Sequence, residues 1–196
     1  VKAEQTARGS RAMFAKRDAE RRGFATRLTP QASAFIAQAR SVFLATASAA
    51  GQPYTQHRGG PPGFIRVIDE TTLAFVDFTG NRQYVTTGNL AENPRAFLFV
   101  MDYASQQRVK FWGRAKTVRG DDALITSLLP QGYDARAEQV ILFEIAAWDA
   151  NCPQHIPQLF HADDVARLIA RHTAQVEALN AEIARAKEAD RIIPAL

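Results

Sequence analysis

Short apolar runs separated by turn residues fill the middle of the chain, and a period of three and four takes over near its end. Val42–Ala47 reads as a strand, Ala50-Gly51-Gln52 as a turn, and Pro53–Arg58 as the returning strand. Gly59-Gly60-Pro61-Pro62-Gly63 makes a rigid loop. Phe64–Ile68 and Leu73–Phe78 form a second hairpin across Asp69-Glu70. Ala96–Met101 is a fully apolar strand, Gln107–Val118 a long, partly alternating partner, and Val140–Trp148 the last strand. Helices interrupt this series. One starts with Thr29 as N-cap and Pro30 in the first position, and buries Phe35, Ile36 and Ala39. A short one opens at Arg82-Gln83 and closes at Asn93-Pro94, because the residue before a proline resists the helical conformation. A third spans Asp121–Leu129, capped by Asp121 or Asp122. Six to seven hairpin-linked strands with short peripheral helices predict an α+β fold built on a small, mostly antiparallel β-barrel.

Residues 163–187 follow another rule. Val165, Ile169, His172, Val176, Leu179, Ile183 and Ala186 recur at alternating spacings of 4 and 3, the heptad period, on a long C-terminal helix. Asp163 or Asp164 is expected to cap it, and its stripe pairs two subunits or lies on the barrel. Residues 2–22 suit helix but carry no clear apolar stripe. The chain therefore divides into a basic N-terminal helical arm (1–29), a barrel domain (30–160) and an amphipathic helix (161–196), the last belonging to the same domain or to a dimer interface.

Charge sharpens this division. The net charge of the 196 residues is +4, yet residues 1–27 alone hold eight Lys and Arg against three acidic residues. The barrel is therefore near neutral, and the high pI belongs to the arm. Such an arm either tethers the protein to nucleic acid or a membrane surface, or packs on a partner subunit. Too few aromatics interleave with the basic residues to stack bases, which argues against nucleic acid. No apolar run approaches the ~20 residues that span a bilayer, and no signal-peptide core is visible. One cysteine, Cys152, excludes an internal disulfide and makes the cytoplasm the expected compartment.

Two stretches carry candidate chemistry. In the first, an apolar strand ends at Phe78-Thr79-Gly80, and Asn81-Arg82-Gln83 follows where a helix is expected to open. A helix start offers unpaired N–H groups and the positive end of the dipole, and an arginine adds a planar charged fork, so the corner suits a phosphate. Arg58 is a second candidate cation, and surface ion pairing is the plainer role for both. In the second, Asn151, Cys152, Gln154 and His155 cluster in a loop after the last strand. They lie over a ligand, or Cys152 acts as a redox thiol, or Cys152 and His155 bind metal, or the loop simply caps the barrel. The metal role is the weakest, because Cys-x-x-His supplies only two ligands. His57 is the best proton-transfer candidate by residue type.

Taken in order, several segments resemble one family. They are the Phe43-Leu44-Ala45-Thr46 strand, Gln56-His57-Arg58-Gly59-Gly60, Phe78-Thr79-Gly80-Asn81-Arg82-Gln83, Asn93-Pro94-Arg95-Ala96, Gln107-Arg108-Val109-Lys110 and Trp148–Ile156. Over about residues 30–160 the chain resembles the pyridoxamine 5′-phosphate oxidase-like proteins, split barrels that bind flavin mononucleotide (FMN). The resemblance implies a homodimeric oxidoreductase with a flavin at the subunit interface, drawing electrons from a small-molecule donor such as NAD(P)H. It assigns cofactor contacts to Gln56, His57, Arg58, Phe78, Asn81, Arg82, Gln83, Gln107, Arg108, Asn151, Cys152, Gln154 and His155, with Arg82 first for the phosphate, and leaves no metal in the site. Departures are plain: Asn81-Arg82-Gln83 stands where the oxidase proper has Ser-Arg-Lys, Gln107-Arg108-Val109-Lys110 where it has Arg-Gln-Val-Arg, and its Arg-x-His ending is replaced by the heptad helix. These argue against pyridoxamine phosphate as substrate. The alternative is a flavin or haem carrier or sensor without turnover, in which His57, His155, His161 or His172 would supply an axial ligand.

Overall fold

The structure, a computed structural model, describes residues 1–19, 24–151 and 153–192. Its elements run α1 (Lys2–Ala7), α2 (Arg11–Ala19), α3 (Pro30–Gln38), β1 (Ser41–Ala47), β2 (Pro53–Gly59), β3 (Ile65–Asp69), β4 (Thr72–Phe78), α4 (Val85–Glu92), β5 (Arg95–Asp102), β6 (Gln107–Val118), α5 (Asp122–Leu128), β7 (Ala137–Asn151) and α6 (Ala162–Ile192). Two compact units emerge: Val1–Asp102 with Gln106–His155, and Tyr103–Ser105 with Ile156–Leu196.

In the first unit seven strands form one antiparallel sheet in the order β2-β1-β5-β6-β7-β4-β3. Its long central pair, β6 and β7, carries both wings. Alternation in β1 buries Val42, Leu44 and Thr46 on one face and leaves Phe43 and Ala45 on the other. Leu44 of β1 and Phe75 of β4 are four places apart in the sheet, yet both belong to one core with Ile36, Leu98, Phe111, Ile141 and Phe143. A flat sheet cannot do this, so the sheet is curled into the split barrel that the resemblance implied. The edge strands β2 and β3 do not pair with each other, and that gap is the split.

Two glycines permit close approaches of the chain. At the bulge between Trp112 and Gly113, a Cβ on Gly113 would stand 2.0 Å from the Glu144 carbonyl oxygen. A Cβ on Gly60 would stand 2.6 Å from that of Phe64.

The caps of α3 and α5 are as expected: Thr29 accepts from the Ala32 N–H at 3.2 Å, and Asp121 from the Leu124 N–H at 2.8 Å. Three expectations are corrected. Helix α4 begins at Val85, with Tyr84 as a left-handed N-cap (φ 54°), so Arg82 and Gln83 lie in the loop before it and not in its first turn. Strand β7 runs on to Asn151, so Asp149, Ala150 and Asn151 are strand and not loop, held there by pairing with β6 and by the Trp148 indole, which donates to the Arg27 carbonyl at 2.8 Å. Helix α6 starts at Ala162, so Asp163 and Asp164 lie inside its first turn, facing the positive end of the dipole, and not at the N-cap position.

Residues 24–28, the end of the basic arm, are fixed to the barrel. Phe24 stacks on Trp112 at 4.9 Å, Ala25 bridges to Trp148, and Leu28 N–H donates to the Glu70 carbonyl at 2.7 Å. In the second unit, Gln158 Nε2 donates to the Ala104 carbonyl at 2.9 Å ahead of α6.

Candidate functional site

Side chains, not ladder hydrogen bonds, bridge the split. Arg58 on edge strand β2 meets Asp77 of β4, Nη2 to Oδ1 at 3.3 Å, with both side chains largely buried. A carboxylate in the apolar run Leu73–Phe78 has to be paired to be tolerated there. Its other oxygen accepts from Gln139 Nε2 on β7 at 2.9 Å, and the same nitrogen reaches Thr87 Oγ1 of α4 at 3.0 Å. Arg119 Nε donates to Gln139 Oε1 at 3.1 Å. Thr86, also on α4, donates to Gln56 Oε1 of β2 at 3.0 Å. The network thereby ties β2, β4, β7 and α4 together.

Above it lies a cleft lined by Gln56, Arg58, Asp77, Phe78, Gly80, Asn81, Arg82, Tyr84, Thr86, Thr87 and Glu138. Its cavity volume is about 40 Å³. At ~10–15 Å³ for each water, that is room for roughly three waters, the bulk of a phosphate group and far less than a flavin ring. The loop wall is shaped by two residues in the left-handed region, Arg82 (φ 59°) and Tyr84 (φ 54°), and by Asn81 Oδ1, which accepts from the Gln83 N–H at 3.2 Å. Tyr84 donates its hydroxyl to Glu138 at 2.6 Å, and this bond, helped by desolvation, raises the phenol above its ordinary value of 10.0.

Two features of the cleft call for an anion. Arg58 Nε is buried with no hydrogen-bond partner, an orphan donor that costs ~1–3 kcal/mol until an acceptor arrives. Arg82 pairs with no carboxylate among the described residues and is exposed at the cleft wall. Asp77 and Glu138 keep the lining from being strongly cationic, so recognition depends on directed N–H groups more than on net field.

Of the residues expected from sequence, Gln56, Arg58, Phe78, Asn81 and Arg82 come together here. His57 does not: successive strand residues point to opposite faces, and its ring lies on the far side of β2, exposed, with Nε2 2.8 Å from Ser41 Oγ and its edge against Phe43. Gln83 is exposed and does not line the cleft. Gln107 and Arg108 begin β6, where Arg108 is in register with Asn151, forming a second group outside the cleft. Arg108 Nε is likewise buried and unpartnered. Gln154 and His155 occupy an exposed turn after β7. Cys152 and the Asn151 side chain lie outside the described residues. Among the described residues no group of three or more His, Cys, Asp or Glu is placed to hold a metal, and no helix is long and apolar enough to cross a membrane. Sequence reasoning missed Asp77, Tyr84, Thr86, Thr87, Glu138 and Gln139. Asp77 had a signal, a lone charge inside an apolar strand; the others had none.

Residues 28–152 match the family model described as pyridoxamine 5′-phosphate oxidase. The chain belongs to that family. No curated protein matches it. Among solved structures, HupZ of Group A Streptococcus is similar at a TM-score of 0.52 and 17% identity, covering 68% of this chain and 99% of that one. A pyridoxamine 5′-phosphate oxidase-type protein of Lactobacillus delbrueckii reaches 0.48 at 22% identity, covering 64% and 95%. HutZ of Vibrio cholerae, described as a haem storage protein, reaches 0.40 at 18%, covering 62% and 90%. The likeness to HupZ extends the oxidase-family fold to a distant sequence and carries nothing about ligand.

Proposed function

We propose that this member of the oxidase family is an FMN-dependent oxidoreductase that acts as a homodimer in the cytoplasm. One observation carries the reading: a phosphate-sized cleft into which the split barrel brings Arg58, with its buried, unpartnered Nε, and the unpaired Arg82. FMN ends in a phosphate dianion, and these two guanidiniums suit it. The cleft takes the tail, and the ring would extend beyond it. The ring therefore needs a second wall, and a second copy is the natural source. The Gln107–Arg108 group, with its own orphan donor, suits the electron-rich edge of the ring from that copy. When bound, the flavin would supply hydride or single-electron chemistry. The chain's own part is to bind and orient: Arg58 and Arg82 hold the tail, Gln56 and Asn81 fix its approach, and the Asp77–Gln139–Thr87 network holds Arg58 in place. His57 lies on the opposite face of β2, so proton transfer within the cleft is not assigned to it. The electron donor is a small reductant of the NAD(P)H class.

The absorbance spectrum of freshly purified protein tests the reading: flavin bands that bleach on reduction are expected. Arg82→Ala should weaken FMN retention at least tenfold, while Lys116→Ala, exposed on β6, should leave it unchanged. Equal retention in the two variants would remove the phosphate assignment.

A second reading, haem carriage without turnover, draws on His57, an exposed imidazole beside the half-exposed Phe43. A Soret band that disappears in His57→Ala, with no flavin bands, would favour it.

A further inference from the structure

Helix α6 presents an apolar stripe to solvent. Val165, Ile169, Val176, Leu179 and Ile183 are between 39% and 61% exposed. A helix otherwise so polar gains most of its stability from burying such a stripe. The period of the stripe defines its partner. Taking Ile169, Val176 and Ile183 as a positions makes Val165, His172, Leu179 and Ala186 the d positions, a repeat sustained over about 33 Å of helix at 1.5 Å per residue. These three a positions are β-branched and Leu179 stands at d between two of them, the combination that parallel two-stranded coiled coils prefer. The flanks agree with that arrangement. Glu182 stands at g and Lys187 at the following e, so two parallel, in-register copies place each glutamate opposite the other's lysine, twice per pair. One heptad earlier Gln175 and Asn180 stand in the same relation. The single polar core layer, His172, then meets its own twin. One ring can donate its N–H to the bare nitrogen of the other, whereas a shifted register would set both against apolar residues.

We propose that α6 pairs with the α6 of a second copy as a parallel, in-register, two-stranded coiled coil. This proposal does not depend on the flavin reading.

Cross-linking of the full chain in a Cys152→Ser background tests it. Ile183→Cys places a thiol in the seam, and Ala181→Cys places one on the opposite side of the same turn. Under mild oxidation at low micromolar concentration, Ile183→Cys should form disulfide-linked dimer at least tenfold faster than Ala181→Cys. Adding Ile169→Lys and Val176→Lys should abolish the difference. Ile169→Cys, treated in the same way, repeats the test two heptads earlier, and circular dichroism confirms that helicity is kept. Equal rates for seam and control thiols overturn the proposal. So does an absence of dimer from both seam thiols in a fully helical protein, the outcome expected of an antiparallel pair, of an unrelated partner, or of a stripe covered by the chain itself.

Discussion

Arg82 holds a backbone conformation that a non-glycine residue adopts at a cost of order 1–3 kcal/mol, and Tyr84 does the same two residues on. Strain of this kind persists where the surroundings impose it, and here it forms the cleft wall. Arg82→Gly relieves it, so global stability should hold or rise by up to ~1 kcal/mol while FMN retention falls as far as in Arg82→Ala. Denaturant unfolding alongside flavin titration separates the two effects. Asp77 is the opposite case, a charge tolerated only because Arg58 and Gln139 surround it. Asp77→Ala leaves the Arg58 guanidinium buried without its counter-ion, and should cost about 3 kcal/mol in chemical denaturation, the lower end for a broken buried pair because Arg58 keeps some solvent contact. Tyr84 can be followed directly. Its raised pKa means the folded state binds the phenolic proton more tightly than the unfolded state, so its contribution is complete below pH 10 and declines as pH rises through the folded value. A spectrophotometric titration should show one tyrosine ionising late, and Glu138→Gln should bring it back toward 10. Arg58 and Arg82 were legible as residue types because a guanidinium suits a phosphate ester. Asp77 was visible as an anomaly but not as a partner, since its partner lies on another strand.

Elements followed the residue pattern closely where local rules are strong. Thr29-Pro30 and Asp121 cap the helices they were expected to cap, because an N-cap is a contact within one turn. The start of α4 was misplaced by three residues: left-handed residues at 82 and 84 delay it, and nothing in Arg-Gln-Tyr announces that conformation. Strand β7 was read as ending too early, since its last residues are held by β6 and by the stapled segment 24–28 and not by their own propensity. The β6 bulge belongs to this scale. Gly113→Ala would drive a methyl into the Glu144 carbonyl oxygen, a backbone atom that cannot swing aside, and should cost about 3 kcal/mol or prevent folding. Gly88→Ala, with open space around it on α4, should change stability by less than ~1 kcal/mol when thermal melts of the two variants are compared.

At the scale of the whole molecule, the split is the decisive feature. Closing the sheet with ladder hydrogen bonds would have sealed it, whereas leaving β2 and β3 unpaired lets charged side chains and a ligand tail occupy the gap. A flavin held partly by a second copy has a retention that depends on protein concentration, because dilution dissolves the second wall. Dilution of the holoprotein through the dimer–monomer transition should release FMN in step with dissociation, measured by recovery of flavin fluorescence. Release independent of protein concentration would mean that one chain holds the whole cofactor.

By itself the sequence determined the alternation of strands, turns and helices, the basic arm, the heptad stripe of α6 and the residue types fit for a phosphate. All of these rest on contacts within a few positions or on a simple period. Tertiary structure alone decided that Arg58 meets Asp77, that His57 faces away from the cleft, and that Gln107 and Arg108 stand outside it. Periodicity fixes the face a side chain takes on its own strand; the curl of the sheet fixes what that face meets, and curl is a property of seven strands packed at once.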